Sequence, residues 1–190
     1  MKRMTLPIAI LALCLGGGWA LARQDRGSVA AADRQFMTHA AQGGMAEVRL
    51  GQLASDHANA DAVKQFGQRM VQDHSKANDE LSQLAQRKGV DLPKDLDTEQ
   101  QATMDRLSKL SGSEFDRAYI RDMVRDHVED VREFQRESRT AQDADLKAWV
   151  TKTLPTLQEH LRMARTVARQ QGAAGAVERN EGAGTGEGKK

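Results

Sequence analysis

The chain has 190 residues, a net charge of +1, 39% hydrophobic residues and only 4% aromatic residues. Few aromatics, three prolines and an abundance of Ala, Leu, Gln and charged residues favour helices over sheets. The balanced charge exerts no general pull on nucleic acid, so no nucleic-acid partner is expected.

At the N-terminus, Lys2 and Arg3 precede an apolar run from Leu6 to Leu15, and Ala20-Leu21-Ala22 supplies an A-x-A motif. This predicts a secretory signal peptide over residues 1–22, cleaved after Ala22, and a periplasmic or secreted mature protein. An uncleaved anchor is the alternative, although the apolar run is short for a span. Leu13 stands before Cys14 where a lipoprotein signal needs a small residue. Cleavage takes the charge to 26 − 27 = −1 and removes Cys14, the one cysteine. The mature chain then has no disulfide and no thiolate, and a metal site must be built from His, Asp, Glu, Met or backbone.

The first helical pattern runs from Asp33 to His57, with Phe36, Met37, Ala40, Gly44, Glu47, Gly51 and Ala54 on one face. The small residues around Glu47 suit close approach of a second helix. The next pattern starts at Asn59 or Asp61 and ends at Lys88, where Gly89 is a C-terminal stop. Its stripe carries Val63, Phe66, Gly67, Met70, His74, Leu81 and Leu84. A connector with Leu92-Pro93 follows. Thr98-Glu99-Gln100-Gln101 reads as a capping box that starts a short helix ending near Ser111-Gly112. Ser113-Glu114-Phe115-Asp116 then reads as the cap of a third long helix reaching Thr140. Asp143 caps the fourth, expected to reach Arg169 with a kink at Pro155. Residues 171–190 are rich in Gly and charge and read as a disordered tail.

These elements predict an all-α domain over residues 33–170. It is a ferritin-like four-helix bundle with a short extra helix in the long connection between the second and third long helices. That length permits a crossover, whereas a plain antiparallel bundle does not require it.

One phrase occurs twice, MVQDH at 70–74 and MVRDH at 123–127, and a looser copy, TLQEH, ends at His160. At about 100° per residue, each histidine falls within an apolar stripe and the acid before it falls on the flank. Glu47, His74, His127 and His160 each lie near the middle of a different helix, so they share one level whichever way the helices run. A buried, ionised Glu47 needs a counter-charge or a metal. Three imidazoles and a carboxylate suit Zn, Fe or Cu. The alternative is a buried polar network that fixes packing, completed by Tyr119. The positions three before each histidine are Val71, Val124 and Leu157, not glutamate, which argues against a two-metal carboxylate centre. His39 and His57 have no such phrase and read as peripheral.

Phe36 to Leu53, MVQDHSKAN, KGVDLP, LSGSEFDRAY, MVRDH and TLPTLQEHLRMA together resemble the exported bacterial family labelled domain of unknown function 4142. The resemblance spans Asp33 to Ala168. It implies a ferritin-like fold and export, and carries no established activity. Its motifs include Glu47, His74, His127 and His160. Two functions stay open: transition-metal handling at those four residues, and a structural or interaction module of the cell envelope. An envelope protein or a second copy of the chain is the partner class either one leaves open, with no membrane span after cleavage.

Overall fold

The computed structural model describes the backbone of residues 29–184 and the side chains of residues 29–172. The expected signal peptide and the last six residues lie outside the described part. Among the described residues there are five helices and no strand: α1 (Ala31–His57), α2 (Asp61–Lys88), α3 (Thr98–Leu107), α4 (Gly112–Thr140) and α5 (Ala144–Gly184). None is long and apolar enough to cross a membrane.

The helix ends follow local chemistry. Gly89 leaves α2 in the left-handed conformation (φ 66°), and its N–H donates back to the Ala85 and Gln86 carbonyls. Asp143 Oδ1 accepts from the Asp145 and Leu146 N–H groups at the start of α5. Two expected caps move. The box of α3 belongs to Asp97, whose carboxylate accepts from Gln100 N–H while the Gln100 side chain accepts from Asp97 N–H. Asp97 and Thr98 each have a Gln three residues on, Gln100 and Gln101, and the box closes on Asp97. The cap position of α4 is Ser111, without a side-chain bond, because Gly112 takes a positive φ and lets the helix begin earlier than Ser113. α5 continues through Pro155 and its backbone stays helical to Gly184, beyond the expected end at Arg169.

α1 packs antiparallel on α2, and α4 on α5. The first hairpin closes through glycine. A Cβ on Gly51 would stand 2.6 Å from the Gly67 carbonyl oxygen, so these helices approach closer than any side chain permits. The two hairpins then meet, α1 against α4 and α2 against α5. α2 ends beside the start of α5, where Lys88 pairs with Asp143 at 2.7 Å and Asp145 at 2.6 Å. α4 begins at the opposite end, beside the α1–α2 turn. The link from Gly89 to Ser111 therefore crosses the length of the bundle, and α2 and α4 run parallel.

Each hairpin's turn is held by an acid of the other hairpin. Buried Asp33 on α1 accepts from the backbone N–H groups of Gln142 and Asp143, at 3.1 and 2.7 Å. Buried Asp116 on α4 accepts from those of Asn59 and Ala60, at 3.0 and 2.9 Å. The two relations are 83 residues apart at every position (116 − 33, 142 − 59, 143 − 60). They describe an approximate two-fold that exchanges α1 with α4 and α2 with α5. The repeated phrase does not follow this two-fold, since it relates α2 to α4.

The apolar core is in two parts. One holds Phe36, Leu81, Phe134, Trp149 and Val150; the other holds Leu50, Phe66, Phe115, Tyr119 and Ile120. On α1, α2 and α4 the boundary falls at Glu47, His74 and His127, and on α5 it falls just past His160, between Leu161 and Ala164, so these four form a polar layer between two apolar halves.

Candidate metal centre

All four of those residues are buried: Glu47 is 4% exposed, His74 6%, His127 0% and His160 1%. The three histidines converge. Their ring centroids are 5.2 to 5.8 Å apart, and one nitrogen from each lies within 4.8 Å of one from each of the others. Glu47 falls outside this triad. Its nearest contact to it is 3.7 Å, from Oε1 to His127 Nδ1, and it joins His127 and Asp130 in a second group. The expected four-residue site is thus a histidine triad with a carboxylate pair alongside.

Hydrogen bonds decide which nitrogens of the triad are free. His127 Nδ1 donates to the Met123 carbonyl at 2.9 Å, because a carbonyl can only accept, so Nε2 carries the lone pair. His160 Nε2 donates to Asp73 Oδ2 at 2.8 Å, which leaves Nδ1 with its lone pair. Buried His127 Nε2, His160 Nδ1 and His74 Nε2 have no protein hydrogen-bond partner. Two rings are thus oriented from behind by an acceptor and present unpaired nitrogen in front, as metal-bound histidines are.

Burial is the main electrostatic influence. It lowers His74 well below the usual histidine value, helped by the charges of His127 and His160. It lowers His127 to about 4, with a contribution from His160 and against the bond to Met123. His160 is also lowered by burial, which its bond to Asp73 offsets only in part. Burial pushes the Asp73 carboxyl up, but its bonds to His160 and Arg69 outweigh this and hold it below the usual value. At neutral pH the triad is three neutral imidazoles, the ligand form. Asp73→Asn should weaken metal binding about tenfold to a hundredfold through loss of this orienting partner. Isothermal titration with zinc would read it, and an unchanged affinity would show that Asp73 does not hold the ring.

The carboxylate pair behaves oppositely. Burial, then the charges of Asp130 and Asp126, raise Glu47 well above the usual value. Burial, then Asp126, Glu133 and Glu129, raise Asp130 to about 7. A raised carboxyl favours the folded state at low pH, and that advantage disappears as pH rises from 3.8 through about 7. Asp130→Asn should therefore gain stability over the wild type on going from pH 4 to pH 8. A gain of about 2 kcal/mol is expected, half of what three pKa units convert to, since Asp130 is only half-buried. Urea unfolding of metal-free protein at the two pH values measures it. A flat difference would mean Asp130 titrates normally.

Tyr119 does not complete a polar network. Its hydroxyl is buried without a partner, and its ring stacks on Phe115 at 5.5 Å. His39 is exposed, 3.7 Å from Glu133, and His57 bonds the Leu110 carbonyl at 2.7 Å; both lie away from the centre. Two residues of the layer escape a reading by stripes alone. Asp73 is the flanking acid of MVQDH, and it reaches across to the neighbouring α5. Asp130 is three residues after His127, a spacing that the helical rule already puts on the same face.

The family model described as "Domain of unknown function (DUF4142)" matches residues 20–167 of this sequence. The chain belongs to the DUF4142 family. Comparison with curated proteins finds no match. Among solved structures, this DUF4142 chain is similar to a DUF305 fragment from Deinococcus radiodurans. That match has 15% identity and a TM-score of 0.67, over 75% of this chain and 98% of that one. It is also similar to the "putative secreted protein DUF305" from Streptomyces coelicolor, with 15% identity and a TM-score of 0.63, over 74% of this chain and 92% of that one. At such identity the likeness is one of fold, shared by a DUF4142 chain and DUF305 chains.

Proposed function

We propose that this protein is an exported, ferritin-like helical bundle that binds one transition-metal ion through His74, His127 and His160. The observation that supports this most directly is the convergence of three buried histidine rings, each of which carries one unpaired nitrogen. An unpaired buried polar atom costs about 1–3 kcal/mol, and an ion would satisfy three at once. Tetrahedral ligands at about 2.0–2.1 Å stand about 3.3 Å from one another, so each nitrogen need move inward by no more than about 0.8 Å. The donors suit Zn, Cu or Fe. With three protein ligands the fourth position is open to water or another small ligand. Glu47 stands 3.7 Å from His127 and is not required as a ligand.

The crossover order of the helices supports the ferritin-like reading. The secreted label of the Streptomyces neighbour and the N-terminal A-x-A motif support export. The alternative, an envelope module with a packing network, is disfavoured by the number of unpaired polar atoms in the layer. Elemental analysis of mature protein purified from its own compartment, with thermal unfolding in added Zn, Cu and Fe, tests the proposal. About one metal per chain and a raised midpoint are expected; no metal and no shift with any of the three would overturn it.

A further inference from the structure

A cavity of about 200 Å³ lies between α1, the start of α3 and α4. Its wall carries six carboxylates, from Glu47, Asp97, Glu99, Asp126, Glu129 and Asp130, against one cation, Arg125. Two of the six are already engaged: Asp126 pairs with Arg125 at 3.0 Å, and Asp97 caps α3. Glu47 is a different case. It is 4% exposed, its Oε2 has no hydrogen-bond partner, and it lines this cavity. Opposite it, Asp130 offers an oxygen within 4.8 Å. The pair sits at equivalent positions of the approximate two-fold, since 130 − 47 is again 83.

We propose that this cavity is a second cation site, in which Glu47 and Asp130 hold a hydrated divalent ion of the Mn²⁺ class. The donor chemistry separates it from the histidine triad. Carboxylate and water are hard ligands that suit Mn²⁺, Mg²⁺ and Ca²⁺, whereas three imidazoles suit Zn²⁺ and Cu²⁺. His127 stands 3.7 Å from Glu47 but does not ligate here, because its Nδ1 hydrogen is committed to the Met123 carbonyl. The cavity, at about 200 Å³, has room for the ion's remaining waters. Two like charges held together below the surface are costly unless a cation joins them. Asp126 and Glu129 add to the negative field at the mouth. The site is independent of whether the histidines bind metal.

Manganese titration followed by electron paramagnetic resonance tests it, since the six-line signal of free Mn²⁺ fades on binding. One Mn²⁺ per chain is expected. A Glu47→Gln, Asp130→Asn double variant should bind at least tenfold more weakly, with its helix content checked by circular dichroism. His74→Ala, His160→Ala should bind Mn²⁺ within twofold of the wild type while losing Zn²⁺. On the unaltered protein, Mn²⁺ should broaden the amide signals of residues 43–47 and 126–130 before those of residues 157–161. No binding at millimolar Mn²⁺, equal binding by the carboxylate variant, or first broadening around His160 would each overturn the proposal. Loss of zinc uptake alone would overturn the histidine site and leave this one standing.

Discussion

Saturating zinc should raise the unfolding midpoint of the wild type by roughly 10 °C or more, and that of His74→Leu by nothing. An ion at about a thousand times its dissociation constant stabilises the folded state by about 4 kcal/mol, and each kcal/mol moves the midpoint of a domain this size by about 3 °C. Leucine is close to histidine in volume and removes both a ligand and an unpaired buried nitrogen. In metal-free buffer His74→Leu should therefore be as stable as the wild type, or more stable by about 1 kcal/mol. That combination separates the two readings of the layer. If the histidines existed for packing, the same change would break a satisfied network and cost about 1–3 kcal/mol with or without zinc. Chemical denaturation of chelated and zinc-loaded samples measures both arms.

Gly67→Ala should be among the most damaging single-methyl changes in the bundle, while Gly43→Ala should be harmless. A Cβ at Gly67 would lie 2.7 Å from the Ala54 Cβ and 2.8 Å from the Gly51 carbonyl oxygen. Neither atom belongs to a side chain that can rotate away, so α1 and α2 must move apart along their whole contact. Overpacking of this kind costs about 1–3 kcal/mol and more where backbone is displaced. Alanine's better helix propensity returns only about 1 kcal/mol. A net loss of about 2 kcal/mol, the upper end of that balance, is expected because backbone is displaced. At Gly43 nothing lies within 4 Å of the added methyl, so the propensity acts alone, and a gain of about 0.5–1 kcal/mol is expected. Urea midpoints of the two variants should fall on opposite sides of the wild type. A harmless Gly67→Ala would mean the helices are not locked at this crossing.

The close approach was legible as a face of small residues on α1, because helical period alone places Gly44 and Gly51 beside Glu47. Only the fold shows which glycine matters most. At Gly44 an added Cβ meets the end of the Asn78 side chain, which can turn aside; at Gly51 it meets the Gly67 carbonyl. The C-terminal stop at Gly89 and the N-terminal cap at Asp143 were equally legible, since both act within four residues of sequence. The caps of α3 and α4 were misplaced by one or two residues because Asp97 competes with Thr98, and Ser111 with Ser113, for the same role.

By itself the sequence determined the helices, their inward faces and the level at which Glu47, His74, His127 and His160 lie. Those follow from a 3.6-residue period and the position of each residue along its helix. Tertiary structure decided the rest of the site. It set Glu47 apart from the histidine triad, turned Asp73 of MVQDH onto His160 of α5, and placed Asp130 across from Glu47. Those partners are separated by up to 87 residues in the chain. Periodicity fixes the direction of a side chain from its own helix axis; which atom meets it depends on helix rotation, on rotamers and on the hydrogen bond behind each ring.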